Sequence, residues 1–427
     1  MLSLWVTLRF LLIHLTVCCL LYLSGAERTT TQRSEYGRTI TRELFNSLEE
    51  LSRIVDISYC VGHTGIWKPF ECLSRCDKFQ DFELITTWNT GPLMSDSCGY
   101  IALSHPPSPK RIIVAFRGTH SLANTVVDLS AYLQPYVPYT GVGNDTGKPG
   151  CSNCTVHAGF MASWQNARSI ILPYLLAARK QHPDYKFVLV GHSLGGAVAA
   201  LAGLEMHLRG WEPQVTTFGE PRVGNEAFVT YLDERFELSD LVLSNYEKQD
   251  NAGRSSVEQP RFRRVTHVND PVPLLPLEEL GYKMHGGEIF ISKLDLPPSI
   301  SDVEVCDGDQ DPRCIAQSDA LRLLLHELNE SRSVDAGQVN IGNPDSQVVL
   351  SDERRHRSMM SSEHSNSTSL TSSGIPWPLI PSKFKLWELF LAHRDYFWRL
   401  GLCVPGGDPT KFRDMPDLNP TSVDNIS

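Results

Sequence analysis

A serine hydroxyl is a poor nucleophile until a neighbouring base takes its proton, so a catalytic serine is sought together with its partners. The pentapeptide Gly191-His192-Ser193-Leu194-Gly195 has the G-x-S-x-G form. In the right setting that form places a serine on a sharp strand-to-helix turn, with its hydroxyl free to attack a carbonyl carbon. The pattern alone is weak, and its surroundings carry the argument. Tyr185-Lys-Phe-Val-Leu-Val190 reads as a buried strand. Gly195 to Arg209 is rich in Ala and Leu, reads as a helix and ends at Gly210. Ser193 therefore falls between the two, at the carboxyl edge of a sheet, where open α/β sheets bind ligands. Glycines at 191, 195 and 196 leave room for the bend.

The order expected for such a site is serine, then acid, then histidine. Asp270 stands in Thr266-His-Val-Asn-Asp-Pro-Val-Pro273, just after a strand-like run, and the prolines force an extended exit there. Asp270 is favoured as the acid, with Glu220 the runner-up. Of the histidines that follow, His326, His356 and His364 lie in polar sequence, leaving His285 and His393. His393 leads on spacing, because ordered aromatic sequence resumes around it. Asp395 is too near in the chain to orient its ring. A tetrahedral intermediate also needs hydrogen-bond donors for its oxyanion. The N–H of Leu194 is one by position, and Thr119, in the loop Phe116-Arg-Gly-Thr-His120, is the expected second.

These residues need a scaffold that brings strand ends together. Arg111 to Phe116, Gln214 to Phe218 and Phe262 to Thr266 read as further strands. Phe160 to Gln181 reads as a long helix with a kink at Pro173. Ile40, Leu44, Leu48, Leu51 and Ile54 recur at helical spacing, which predicts an amphipathic helix from about 36 to 53. Strands alternating with helices predict an α/β fold with a mostly parallel central sheet flanked by helices. The stretch 297–373 is too polar to bury and reads as a partly disordered insertion, with one short helix at Ala320 to Leu328. Residues 27–427 are expected to form one domain, ending in a short tail at 404–427.

The chain has 427 residues, 41% of them hydrophobic, with a formal charge of -10. An acidic chain lacks the basic footprint of a nucleic-acid binder. Arg9 precedes an apolar run from Phe10 to Leu23, followed by the small residues Ser24-Gly25-Ala26. This predicts a signal peptide over 1–26 and a secreted or lumenal protein, with an uncleaved signal anchor as the alternative. Beyond the leader nine cysteines remain, and the close pairs Cys72/Cys76, Cys151/Cys154 and Cys306/Cys314 suit local bridges in an oxidising compartment. Zinc is the competing reading of paired cysteines, but the spacings are unequal and no histidines are placed to complete a site. No metal or cofactor is expected. An odd number leaves one thiol free. Asn-x-Ser/Thr acceptors at Asn144, Asn153, Asn329, Asn366 and Asn425 fit the same compartment.

Taken together, the residues resemble a known group. Phe116-Arg-Gly-Thr119, Cys151-Ser-Asn-Cys154 with His157-Ala-Gly-Phe160, Val190-Gly-His-Ser-Leu-Gly-Gly-Ala197, Gly219-Glu-Pro-Arg-Val-Gly-Asn225, Thr266 to Pro273 and His393-Arg-Asp-Tyr-Phe397 occur in the order seen in the fungal class 3 lipases, which include type A feruloyl esterases. The resemblance covers about 36 to 296 and 375 to 403. It implies the α/β-hydrolase fold, a triad of Ser193, Asp270 and His393, and an oxyanion hole at Thr119 and Leu194. It assigns His285 to a loop after Gly281-Tyr282. It implies the bridges Cys60–Cys403, Cys72–Cys76 and Cys151–Cys154, with Cys306–Cys314 private to the insertion and Cys98 free. The expected activity is hydrolysis of a carboxylic ester, foremost a triacylglycerol, with feruloyl or other esters and an inactive lipid- or wall-binding homologue as alternatives. Three features depart from the group: the 297–373 insertion, Glu220 in place of a small or amide residue, and Thr119 in place of a serine. Leu122, Val126, Leu129 and Leu133 share one helical face of the 121–133 segment, which suits either a lid meeting a lipid interface or an ordinary packed helix. The lid tryptophan of the group is missing. A monomer is expected.

Overall fold

The computed structural model describes residues 39–91, 93, 95–119, 133–139, 150–238, 260–306, 311–318 and 391–404. Most of the 121–133 lid segment, the 320–328 helix, most of the 297–373 insertion and the leader lie outside the described residues.

The chain enters through α1 (Arg42–Ile57), whose first turn is capped by Thr41, its hydroxyl accepting from the Leu44 amide at 3.2 Å. The helix runs past Arg53 because Ile54, Val55 and Ile57 are buried with Leu44, Leu48 and Leu51. Eight strands then build one sheet: β1 (Phe82–Asn89), β2 (Cys98–Ser104), β3 (Arg111–Phe116), β6 (Lys186–His192), β7 (Gln214–Phe218), β8 (Phe262–His267), β9 (Glu288–Ile291) and β10 (Val303–Val305). They lie side by side in that order. A separate two-stranded ribbon is made by β4 (Leu133–Pro135) and β5 (Thr155–His157). The strands from β3 to β9 run parallel. β1, β2 and β10 are antiparallel additions at the two edges.

β3 is buried along its whole length, as expected of a strand covered on both faces. Ile112, Val114 and Phe116 pack with α2 (Ala158–Gln181), α3 (Leu194–Leu208) and α4 (Glu226–Phe236). Ile113 and Ala115 face the other way, into a second core with α1 and the C-terminal residues Tyr396, Phe397 and Leu400. The molecule is thus three-layered, with its two halves of core on opposite faces of the sheet. α2 is a single helix that runs through Pro173, which is exposed.

The polar stretch from 297 begins with ordered structure. β10 pairs with β9, and Ile315 is buried beside the Cys306–Cys314 bridge. The buried carboxylate of Glu288 ties this corner together. It pairs with Arg264 at 3.1 Å, and one of its oxygens accepts from Thr266 Oγ1 (2.5 Å) and from the Ile315 amide (3.3 Å). Three further disulfides join Cys60–Cys403, Cys72–Cys76 and Cys151–Cys154, while Cys98 is a buried free thiol that burial pushes up to about 11. Among the described residues, the one cluster compact enough to hold a metal is Glu288 with Cys306 and Cys314. The two sulfurs are bonded to each other, so neither offers a thiolate.

Candidate active site

β6 ends at His192 and α3 begins at Leu194, so the whole reversal falls on Ser193. Ser193 takes φ 58° and ψ -131°, a sparsely populated region that costs of order 1–3 kcal/mol and persists only when its surroundings enforce it. They do. A Cβ at Gly191 would lie 2.1 Å from Gly195 O, and one at Gly195 would lie 2.3 Å from Phe116 O. Backbone contact that close admits only glycine. The Ser193 amide donates to Phe218 O at 2.9 Å, which fastens the turn to the end of β7. Leu194 sits in the first turn of α3, where backbone N–H groups have no partner within the helix.

Asp270 follows β8 by three residues and is wholly buried. Both of its carboxylate oxygens lie within 2.8–2.9 Å of His393 Nδ1. It also accepts from the Val272 amide at 2.9 Å and from Tyr396 Oη at 2.5 Å. Burial alone would raise its carboxyl; the His393 ring, the Tyr396 hydroxyl and the Val272 amide more than offset that and hold it below the usual range. A carboxylate only accepts, so His393 carries a proton on Nδ1, and Nε2 is the ring atom left to act as base. His393 is itself wholly buried, in a turn where Asp395 N donates to Ala392 O.

Ser193 Oγ and His393 Nε2 are buried, and neither makes a hydrogen bond. The elements that carry them are in contact. The His192 and His393 rings lie 4.7 Å apart, and His192 Nε2 is 2.8 Å from His393 O. A Cβ at Gly219 (φ +59°), next to the carbonyl that holds Ser193, would meet Tyr396 Oη, His393 Cε1 and Asp270 Oδ2 at 2.6–2.8 Å. Gly118 is equally close to Ser193, since a Cβ there would lie 2.7 Å from Ser193 Cβ. Thr119, next in the chain, therefore stands on the nucleophile's flank. Such a serine and imidazole are often apart in an empty site and close on substrate.

Glu220 and His285, the runners-up as acid and base, engage each other instead. His285 Nε2 lies 3.0 Å from Glu220 Oε1 and its Nδ1 2.9 Å from Gly286 O. Both acceptors lack protons, so both ring nitrogens donate. Burial would lower His285, but the Glu220 carboxylate overrides it and raises the imidazole above its ordinary value. Asp395 pairs with Arg399 at 2.7 Å. Sequence reading missed Tyr396 as a partner of Asp270, although it lies in His393-Arg-Asp-Tyr-Phe397. It also missed Arg222, which holds the Leu274 and Pro276 carbonyls and so braces the loop leaving Asp270.

Comparison with known proteins identifies a family for the chain. Residues 113–280 match the family described as Lipase (class 3). Lipase A of Sodiomyces alcalophilus is 48% identical over 402 residues, 89% of this chain and 86% of that protein. The secreted mono- and diacylglycerol lipase 2 of Gibberella zeae is 47% identical over 390 residues, 87% of this chain and 84% of that protein. Among solved structures, Lip2 lipase of Yarrowia lipolytica superposes with a TM-score of 0.57 at 33% identity, covering 68% of this chain and 92% of that one. With this similarity along most of its length, and with its parallel sheet and strand-to-helix serine turn, the chain belongs to the class 3 lipases, carboxylic ester hydrolases of the α/β-hydrolase fold.

Proposed function

We propose that Ser193, Asp270 and His393 are the catalytic triad of an exported lipase that hydrolyses acylglycerol esters. The observation that carries this reading is the buried, doubly bonded pair of His393 and Asp270 packed against the turn that strains Ser193. His393 Nε2 takes the Ser193 proton as Oγ attacks the ester carbonyl. The Leu194 amide and Thr119 receive the charge on the carbonyl oxygen. The intermediate collapses to an acyl-serine, and the departing alcohol takes the proton from His393. Water then repeats the attack with His393 as base, releasing the fatty acid and restoring Ser193. Asp270 stays ionised and stabilises the imidazolium. The chemistry calls on no metal or cofactor.

Acylglycerol as substrate is supported by the relative from Gibberella zeae, named a secreted mono- and diacylglycerol lipase. The same name supports export, while removal of residues 1–26 rests on the sequence pattern alone. No helix among the described residues is long and apolar enough to cross a membrane. Full burial of Ser193 and His393 supports a site that opens to admit substrate; we assign that movement, at a lipid surface, to the 121–133 segment and take the chain to act as a monomer. Ser193→Ala is expected to lower kcat on a p-nitrophenyl ester by on the order of 10⁶. Retained turnover would refute the triad. Emulsified long-chain tri- and diacylglycerols should be cleaved faster than the same esters below their solubility limit, and faster than methyl ferulate. Cleavage of the ferulate alone would overturn the substrate assignment.

A further inference from the structure

A line of hydrogen bonds runs behind the triad, through groups that the proposed chemistry does not use. The Gly118 amide donates to Tyr59 Oη at 3.2 Å. Tyr59 Oη lies 2.5 Å from His192 Nδ1, and His192 Nε2 lies 2.8 Å from His393 O. The far end sets every direction. A carbonyl oxygen can only accept, so His192 is protonated on Nε2 and bare on Nδ1. Tyr59 must then donate its hydroxyl proton to Nδ1, which leaves its oxygen to accept the Gly118 amide. Burial pushes His192 down to about 3, with the neighbouring His393 adding to the effect, so this ring stays neutral through the working pH range.

The line joins three separate parts of the site. Gly118 precedes Thr119 on the oxyanion loop. His192 precedes the nucleophile. His393 O is the backbone of the base itself. Tyr59 is gripped from outside by the segment that carries the base: a Cβ on Gly401 (φ +89°) would lie 3.3 Å from Tyr59 Cε1, and Cys60 is bonded to Cys403. Its oxygen is also what crowds Gly118, where a Cβ would lie 2.6 Å away. Both Tyr59 and His192 are 1% exposed, so water does not compete for these bonds.

We infer that Tyr59 and His192 are positioning residues, which fix the oxyanion donor at Thr119 and the imidazole of His393 at a set separation on either side of Ser193. The inference rests on the triad reading above. In the tetrahedral intermediate the donor must meet the oxyanion while His393 faces Ser193 Oγ, and displacements of about 1 Å can cost 10²-fold in rate. Among the described residues no disulfide joins the oxyanion loop itself to the His393 segment, and this line of hydrogen bonds connects them.

Tyr59→Phe removes one hydroxyl and keeps the ring that packs on Gly401. It is expected to lower kcat by roughly 10- to 100-fold, with KM within about twofold. Phosphonylation of Ser193 by a fluorophosphonate should slow in parallel, since it uses the same base and donors. The unfolding midpoint should fall by only a few degrees. His192→Gln keeps a donor for His393 O but has no acceptor at the Nδ1 position that Tyr59 reaches, its amide oxygen lying further out, so its effect should be similar. The double variant should be no worse than about threefold below the weaker single one, because both break one line. A Tyr59→Phe enzyme within twofold of wild-type kcat, or losses that multiply in the double variant, would overturn the inference. So would a loss of activity that returns on cooling in step with the folded fraction. Ser193→Ala run alongside separates the failures: if it stays active the triad reading falls and takes this one with it, whereas an inactive Ser193→Ala beside a fully active Tyr59→Phe removes the positioning role alone.

Discussion

The turn that carries Ser193 and the segment that carries His393 reach the same point from opposite faces of the sheet and are held by different kinds of interaction. The serine turn is local. Its strand, its helix and its glycines are contiguous, and the contacts that force φ positive at Ser193 come from neighbouring backbone. α3, which continues from it, is buried through nearly all its length, so the turn has no freedom to relax. The His393 segment has no long helix or strand of its own among the described residues. It is moored by side chains. Cys403 is bonded to Cys60, the Gly401 amide donates to the buried Asp56 at 2.8 Å, and Trp398 lies beneath Arg53 and Arg75 at 5.0 and 4.7 Å. Tyr396 closes on Asp270. A nucleophile can therefore be built by local sterics, whereas a base that arrives from 123 residues beyond its acid depends on long-range tethers.

If that contrast is right, cutting the longest tether should harm catalysis and stability together. Cys60→Ser/Cys403→Ser releases a bond across 343 residues. It should cost about 2–5 kcal/mol in stability, and should lower kcat at temperatures where the protein is still folded. Cys72→Ser/Cys76→Ser opens a bond across only 4 residues and should cost less, with kcat near wild type. Denaturant unfolding and initial rates on both double variants make the comparison. Equal losses would mean that the His393 segment is no more dependent on its mooring than a local loop.

The next tether tests the acid. Tyr396→Phe removes one hydrogen bond to a buried carboxylate. Such bonds contribute about 1.5–3 kcal/mol, so kcat should fall by roughly 10- to 100-fold. The sign of the pH effect follows from Asp270, which is held below its ordinary value. Its stabilising ionisation is present above the unfolded carboxylate pKa and is lost as pH falls through the folded one. Without the tyrosine hydroxyl the folded value rises, so the acid limb of stability should move to higher pH. A variant with an unmoved acid limb would show that His393 and Val272 suffice to hold Asp270.

The same contrast decides what the sequence made legible. The strands at 111–116 and 186–192 and the serine turn were readable because each is a largely apolar run or a fixed local spacing, and those at 214–218 and 262–267 because β-branched and aromatic residues recur in short segments between turns. β1 was not, because its burial is irregular and Thr86 and Thr87 sit at its centre. β10 was hidden by polar neighbours, and β9 opens on Glu288, a charge that is buried only because Arg264 and Thr266 answer it. Glu220 looked like a rival acid until its partner His285 was in place. Tyr59 and His192 are 133 residues apart, and no periodicity marks a pair of that kind. Buried polar partnerships are properties of the assembled chain, whereas a strand or a glycine elbow is written locally.

The effect confined to acid solution concerns a residue on the local side of the comparison. His157 caps α2, its Nδ1 accepting from the Phe160 amide at 3.3 Å, and it is stacked on the Phe160 ring at 4.0 Å. Burial pushes it down to about 4. A histidine depressed in the folded state binds its proton sooner in the unfolded chain, so stability is full above the ordinary histidine value and falls as pH drops from about 6.5 towards 4. The slope is roughly 1.4 kcal/mol per pH unit for one group. His157→Asn keeps an oxygen able to cap the helix and removes the titration. Its unfolding free energy should therefore lose about one proton's worth of pH dependence across that window, while at pH 8 it differs from wild type mainly by lost ring packing. An unchanged slope would mean that acid unfolding is governed by the buried groups around the triad, and that the serine side of the molecule contributes none of it.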